Sequence, residues 1–288
     1  MAERAGVSHD AKTVLRMTAR AHEIDRYLAA VVGPAGPRDD LITLAAFVGE
    51  VARVPIMVSE PMIGQIRLQW WRDTIEAGAA TGLSSGNPIA DAFADVLRRR
   101  KLPVGLAIGV IDAQETLLDD RPPTDDEALR QHLAKAQGIP FEFAGRVLGA
   151  HTGTADQSSL ASVWASAGMC YGLARTLLEL AAVAAQGRTL LPAARLARAS
   201  ISPSLLNAPE SAEAVGNVVR ELMDEAHFEF TALMRQRATL SPAVRAALRP
   251  LSLVPAYLAK VERAGPSIAR VPIDVMPLTR FWRIWRGI

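Results

Sequence analysis

Apolar residues recur along this chain at helical spacing, and runs of strand-forming residues are sparse. Leu15, Ile24, Tyr27, Leu28 and Val31 supply much of one apolar face. They predict a first helix capped by Ser8 and running to about Val32, where Gly33 and Pro34 stop it. Asp39 and Asp40 open a second, from Leu41 to about Val54, which Pro55 ends. Ser59, Glu60 and Pro61 make a good start for a third. Its Ile63, Ile66, Trp70, Thr74 and Ile75 fall on one side, and it stops near Gly78. Ala79 to Asn87 is rich in Gly and Ser and reads as a flexible linker.

Asn87 and Pro88 start the next helix, which ends before Pro103, and another spans Val104 to Leu118. Thr124 and Glu127 fit a capping box, and the helix they open must bend or stop at Pro140. Ala155 to Ala185 is the longest apolar stretch, ended by Gly187. Gly168 and Gly172 inside it weaken a helix, which predicts a close contact that compensates. Further helices fit Pro192 to Ala199, Ser211 to Arg237, Pro242 to Leu248, Val254 to Arg263 and Pro277 to Arg286. No fixed-period repeat interrupts the pattern. The expectation is one all-α domain over residues 1–288, orthogonal or bundled, around a long apolar helix.

Composition supports this reading and narrows the function. Alanine, leucine and arginine dominate, and half of the 288 residues are hydrophobic, enough for a sizeable core. A formal charge of +2 gives no field for nucleic acid, so no nucleic-acid partner is expected. Cys170 is the only cysteine and reads as a small buried hydrophobe in a reducing compartment. Met1 to Asp10 carries no apolar signal-peptide core, and no stretch gives about 18 uninterrupted apolar residues. The expected location is cytoplasmic, peripheral at the inner membrane if a surface segment binds lipid.

Several groups are candidates for chemistry. Asp91 and Asp95 sit four apart on one helix, and Asp112, Glu115 and Asp119 repeat at near-helical spacing. So do Glu221, Asp224 and Glu225, with His227 beyond. Such clusters can bind a cation, or be solvated charge on amphipathic helices. The run Arg98 to Lys101 fits a solvated helix end or a phosphate contact. Trp70 and Trp71 point about 100° apart on a helix, so one faces the core and the other an edge, a cavity or a partner. Arg67 and Arg72 can meet phosphates, or pair with Glu60, Asp73 or Glu76. Arg280 to Arg286 interleaves arginines with aromatics. It fits an anionic membrane surface, or a last helix docked with its arginines outward.

Three segments resemble one known family. Leu44-Ala45-Ala46-Phe47 is similar to the segment that introduces the first aspartate-rich motif of squalene and phytoene synthases. The long run from Ser59 to Arg72 is the most specific likeness, and Gly187-Arg188-Thr189-Leu190-Leu191-Pro192 resembles the segment after the second motif. Their order and spacing fit over most of the chain. The resemblance implies the trans-isoprenyl diphosphate synthase (terpenoid synthase) fold, a helical bundle around a central cavity.

The family condenses two prenyl diphosphates head to head. Its diphosphate leaving group needs Mg²⁺, which takes hard carboxylate ligands, and two DxxxD motifs on facing helices supply them. Here the first motif falls between Ala52 or Arg53 and Ile56, with no carboxylate at either end and Pro55 between. The second falls between Glu179 and Val183, and only Glu179 matches. The remaining catalytic candidates are Glu50 and Glu179. The resemblance nominates Phe47, Arg53, Arg67, Trp70, Trp71 and Arg188 for the cavity or for diphosphate, and no metal ligand. The sequence is similar to the branch of complex I assembly factors, which shares Ala46, Phe47 and Glu50, and Ser59, Glu60, Gly64, Arg67 and Trp71. That branch too lacks the paired aspartates. The implied role is non-catalytic, supporting respiratory complex assembly or holding a lipid or isoprenoid, with no cofactor. Mg²⁺ enters only on the alternative of an active prenyl transferase.

Overall fold

The first apolar face belongs to two helices, α1 (His9–His22) and α2 (Ile24–Val32), which meet at Glu23. The structure is a computed structural model and describes residues 9–150 and 157–288. The expected cap Ser8 and the expected helix start at Ala155 lie outside the described residues. Glu23 leaves the helical region (φ −136°, ψ 53°), and its side chain is buried. Helix α3 (Arg38–Ala52) is buried from Asp40 through Gly49. Pro55 does not end it. The helix stops at Ala52, and Pro55 sits in the first turn of a short α4 (Val54–Met57), where its missing N–H costs nothing.

Helix α5 (Pro61–Thr81) runs past Gly78 to a left-handed Gly82 (φ 74°). Its buried face is Gly64, Leu68, Trp71, Ile75 and Gly78. The Ile63, Ile66 and Trp70 side faces solvent instead, which corrects the expectation from the sequence. The physical reason is close approach by the backbone. A Cβ on Gly78 would lie 2.7 Å from the Ala94 methyl, and one on Gly64 would overlap Leu118. The Gly- and Ser-rich stretch is a hydrogen-bonded turn rather than a free linker. The Asp91 carboxylate accepts from Ser84 Oγ (2.5 Å), Ser85 N (2.7 Å) and Gly86 N (3.2 Å). Asn87 then caps α6 (Pro88–Arg100) by accepting from the Ile89 and Ala90 amides.

After α7 (Val104–Glu115), Asp125 rather than Thr124 caps α8 (Asp126–Leu133). The chain loosens into a π turn at Ala134–Gly138 and resumes as α9 (Ile139–Val147), with Pro140 in its first turn. The long helix α10 (Gln157–Leu178) is offset at Glu179 from α11 (Leu180–Ala184). Its glycines have the predicted partner. A Cβ on Gly168 would lie 2.5 Å from the Gly138 amide nitrogen, and one on Gly172 would lie 2.7 Å from Leu133. The π turn therefore rests directly on the α10 backbone. The remaining helices are α12 (Ala193–Arg198), α13 (Ala212–Gln236), α14 (Pro242–Ala247), α15 (Val254–Ala264) and α16 (Pro277–Arg286). No strand occurs among the described residues.

Two apolar cores result. One gathers α3, α5, α6 and α7 around Phe47, Trp71 and Phe93; the other gathers α10, α13 and α15 around Tyr171, Leu222 and Tyr257. Helix α9 joins them, with Phe143 in the first and Phe141 in the second.

Candidate functional site

A cavity of about 450 Å³ lies between the α1–α3–α4 side and the π turn with α10 and α11. Two glycines of its lining let helices converge. Gly49 lets α3 approach the end of α1, with His22 Cβ 2.8 Å from where its own Cβ would lie, and Gly172 does the same for α10. Much of the lining is apolar, with Val48, Ile56, Leu133, Leu180 and Val183 among it.

Its polar wall is built from paired charges. Glu23 is buried and accepts from Arg26 Nη1 (2.5 Å) and Arg175 Nη1 (2.7 Å). Burial alone would raise its carboxyl, but the Arg175 and Arg26 charges outweigh burial and hold it below the ordinary carboxylate range. Arg26 also donates to Gln137 Oε1 (3.0 Å), so the π turn is tied to α2. Arg175 turns its Nε and Nη2 to Glu179 Oε1, at 3.2 and 3.0 Å. Burial opposes its charge, yet Glu23 and Glu179 hold its pKa well above the usual value. Nearer α4, Arg53 Nη1 donates to Glu50 Oε2 (3.2 Å). Arg188 donates to the Pro55 carbonyl (3.0 Å) and the Leu117 carbonyl, and pairs with Asp120 at 2.5 Å.

Two histidines also line the cavity. Burial pushes His132 down to about 4, so it is neutral near pH 7, with Nδ1 3.2 Å from Thr116 Oγ1. Burial, then the Arg53 charge, lowers His22.

Of the nominated residues, Arg53, Arg188 and Glu179 line this cavity. Glu50 engages Arg53 but is not part of the lining. Phe47 and Trp71 are core residues: Phe47 stacks on Phe93 with centroids 4.0 Å apart and meets Trp71 edge-on. Trp70 is 41 % exposed and Arg67 is on the surface, because α5 turns its glycine face inward. Those four belong to the scaffold or the surface and not to the cavity wall. Glu23, Arg175, Gln137 and His132 were missed. The Arg175–Glu179 and Glu23–Arg26 spacings, four and three residues, were the available signal.

The other charged groups hold the fold together. Arg72 pairs with Asp112 (2.8 Å) and Glu115 across α7, not with Glu60, Asp73 or Glu76. Arg195 joins Asp126 (2.6 Å), Glu221 (3.3 Å) and Glu225 (2.9 Å). Asp95 pairs with Arg98 and Arg99. Arg99 and Arg100 both reach the nearly buried Asp40 at 2.8 Å, so the basic run ties α6 to α3. Among the described residues, no group of three or more His, Cys, Asp or Glu side chains converges as a metal site. The Cys170 thiol is buried and pushed up to about 12 by burial. No helix among the described residues is long and apolar enough to cross a membrane.

A second buried carboxylate, Asp25 of α2, is not part of the cavity lining. Asp25 Oδ2 accepts from the Tyr171 hydroxyl (2.7 Å) and the Tyr257 hydroxyl, while Oδ1 accepts from Arg280 Nη1 (2.6 Å). Helix α16 thus docks through Arg280 and the buried Ile284. The expectation of arginines outward is corrected for Arg280. It is Leu278, Phe281, Trp282 and Trp285 that face solvent.

A family model described as squalene/phytoene synthase matches residues 19–281. The mouse protein called NADH dehydrogenase (ubiquinone) complex I, assembly factor 6 is 24% identical over 272 residues, covering 93% of this chain and 80% of its own. Its bovine counterpart is 24% identical over 277 residues with the same coverage. Among solved structures, a dehydrosqualene synthase in complex with ligand superposes with a TM-score of 0.78 at 13% identity, over 96% of this chain and 94% of that one. Squalene synthase HpnC from Alicyclobacillus acidocaldarius gives 0.73 at 18% identity, over 89% and 94%.

Proposed function

The chain belongs to the squalene/phytoene synthase family and has its all-α terpenoid-synthase bundle, and from that premise we propose that it is a non-catalytic member. In this reading the cavity holds a lipid or isoprenoid instead of transforming it, and the protein serves assembly of respiratory complex I. One observation carries the first part: the two carboxylates nearest the family's motif positions are each held by an arginine of the same chain. Glu50 engages Arg53, and Glu179 shares Arg175 with Glu23.

Loss of diphosphate needs Mg²⁺ held by free carboxylate oxygens, to neutralise the leaving group. Freeing Glu179 would leave Arg175 held by Glu23 alone, and freeing both would leave a largely buried guanidinium unpaired, which is strongly unfavourable. Val183 stands where the second motif would end. This donor set does not fit a magnesium ion, and the reading routes no step through one. The apolar lining suits a hydrocarbon chain, and the volume lies within the range of small-molecule sites. Arg53 and Arg188, at the α4 side, suit a polar head. The assembly role is supported by the curated relatives, whose name describes that work and which match 93% of this chain.

A second reading, a Mg²⁺-dependent head-to-head prenyl transferase, is favoured by the retained cavity. The two separate cleanly when purified protein is incubated with Mg²⁺ and farnesyl diphosphate. The expected result is no diphosphate release above background, an apolar ligand in the organic extract, and a complex I subunit among co-purifying proteins. Robust release that disappears in Glu179→Ala would falsify the non-catalytic reading.

A further inference from the structure

Helix α16 buries an arginine and exposes its aromatics. Arg280 reaches Asp25 and Tyr257, Ile284 is fully buried, and Arg249 holds the far end through the Ile284 and Trp285 carbonyls at 3.2 Å. That anchoring fixes the rotation of the helix. Leu278, Phe281, Trp282 and Trp285, spaced three, four and seven residues from the first, then form one outward stripe, 45–78% exposed. Met276 and Val271, before the helix, are also exposed, at 65% and 51%. Four large apolar groups on a single helix face solvent while a cation is kept inside, the reverse of what burial favours. Such a stripe marks an interaction surface.

The surrounding charge says what covers it. Residues 270–288 hold four arginines against one acidic side chain, Asp274, and Arg280 neutralises that one at 2.6 Å. Arg270 and Arg286 are exposed and Arg283 partly so, with the Arg286 guanidinium 5.2 Å above the Trp282 ring. Tryptophans with interleaved arginines on a short surface helix match the interface of an anionic bilayer, where indoles sit at headgroup depth and guanidiniums meet phosphates.

We propose that the outward face of α16 docks the protein on an anionic lipid surface, with Leu278, Phe281, Trp282 and Trp285 in the interface and Arg270, Arg283 and Arg286 on lipid phosphates. This extends the proposed work at a membrane-bound complex, and it fails separately from that reading.

The test uses the full chain, co-sedimented with phosphatidylcholine vesicles and with equimolar phosphatidylcholine–phosphatidylglycerol vesicles. Wild type binds the anionic vesicles and is weakened by salt. Trp282→Ser with Trp285→Ser lowers binding at least about tenfold. Arg286→Gln lowers it about fivefold. Both variants keep native helical content, since these side chains are exposed. A folded tryptophan variant that binds undiminished overturns the proposal. So does equal binding to both vesicle types, or a loss seen only with Ile66→Ser and Trp70→Ser on α5. No vesicle binding by wild type overturns it too, and capture of a protein partner through α16 in that case identifies the competing occupant. Diphosphate release by a chain that still loses vesicle binding in the tryptophan variant overturns only the non-catalytic reading.

Discussion

Glu23 and Asp25 are two residues apart, both buried, and gather different sets of partners. Glu23 faces the cavity and is held by two guanidiniums, one of α2 and one of α10. Asp25 gathers two tyrosines and an arginine from α10, α15 and α16. Charge balance differs accordingly. At Glu23 the cations exceed the anion locally, and Glu179 is drawn in to share Arg175. At Asp25 a single cation, Arg280, is shared with the exposed Asp274, and two neutral hydroxyls complete the shell. The cavity side is thus an ion-pair lattice that leaves no carboxylate free. The Asp25 side is a clasp that orients a terminal helix. Residues 23–25 thus contribute both to the cavity wall and to the seat of α16.

Perturbing the clasp has the largest expected effect. Asp25→Ala leaves Arg280 and two tyrosine hydroxyls without their buried acceptor and costs about 3–5 kcal/mol in chemical denaturation. Limited proteolysis should then cut between α15 and α16. A cost no larger than that of Glu23→Gln breaks the comparison.

Acid reports on the cavity side. His132 is held near 4 in the fold against an ordinary value near 6.5. The unfolded chain therefore binds a proton the folded one refuses, and stability falls as pH drops from about 6.5 to about 4. The linked loss is about 3 kcal/mol. His132→Gln should flatten that limb of the pH–stability curve, and an unchanged limb counts against a neutral His132.

Glu23→Gln comes next, at about 1–3 kcal/mol, because Arg26 and Arg175 keep Gln137 and Glu179. Since the Glu23 carboxyl is held low, its contribution is present at neutral pH and lost as pH falls through its folded value. The variant should lose that acid-sensitive part while leaving α16 resistant to protease. Release of α16 would mean that the two carboxylates act as one network.

The smallest effect is expected at Trp70→Ser, under about 0.5 kcal/mol, against several for Trp71→Ala. Similar values at the two positions would show that α5 is turned differently from the face its glycines define.

Much of the scaffold was legible because its signals are local. Asn87 capping α6, the Pro277 start of α16 and the Gly187 stop each act through neighbouring backbone groups, as the residue type predicts. Gly168 and Gly172 announced a close contact, though not that its partner would be a π turn. The break at Glu23 was hidden, because the apolar spacing runs through it uninterrupted. At the site, Arg53 could be picked out from the segment it follows, Glu179 from the segment it precedes and Arg188 from within that segment. His132 could not, since Leu129, Leu133 and Ala136 around it read as an ordinary helix face, and Glu23 offered only its spacing to Arg26.

The sequence by itself determined the helical class and most helix starts and stops. These depend on residue type and spacing, which a single chain displays. Only the tertiary structure decided which faces turn inward. On α5 the glycine face beat the isoleucine face, because a backbone can approach there. On α16 an arginine beat three aromatics, because Asp25, from a helix about 250 residues earlier, was already buried and needed a cation. Burial belongs to a pair of surfaces, and the second surface is not written in the helix that meets it.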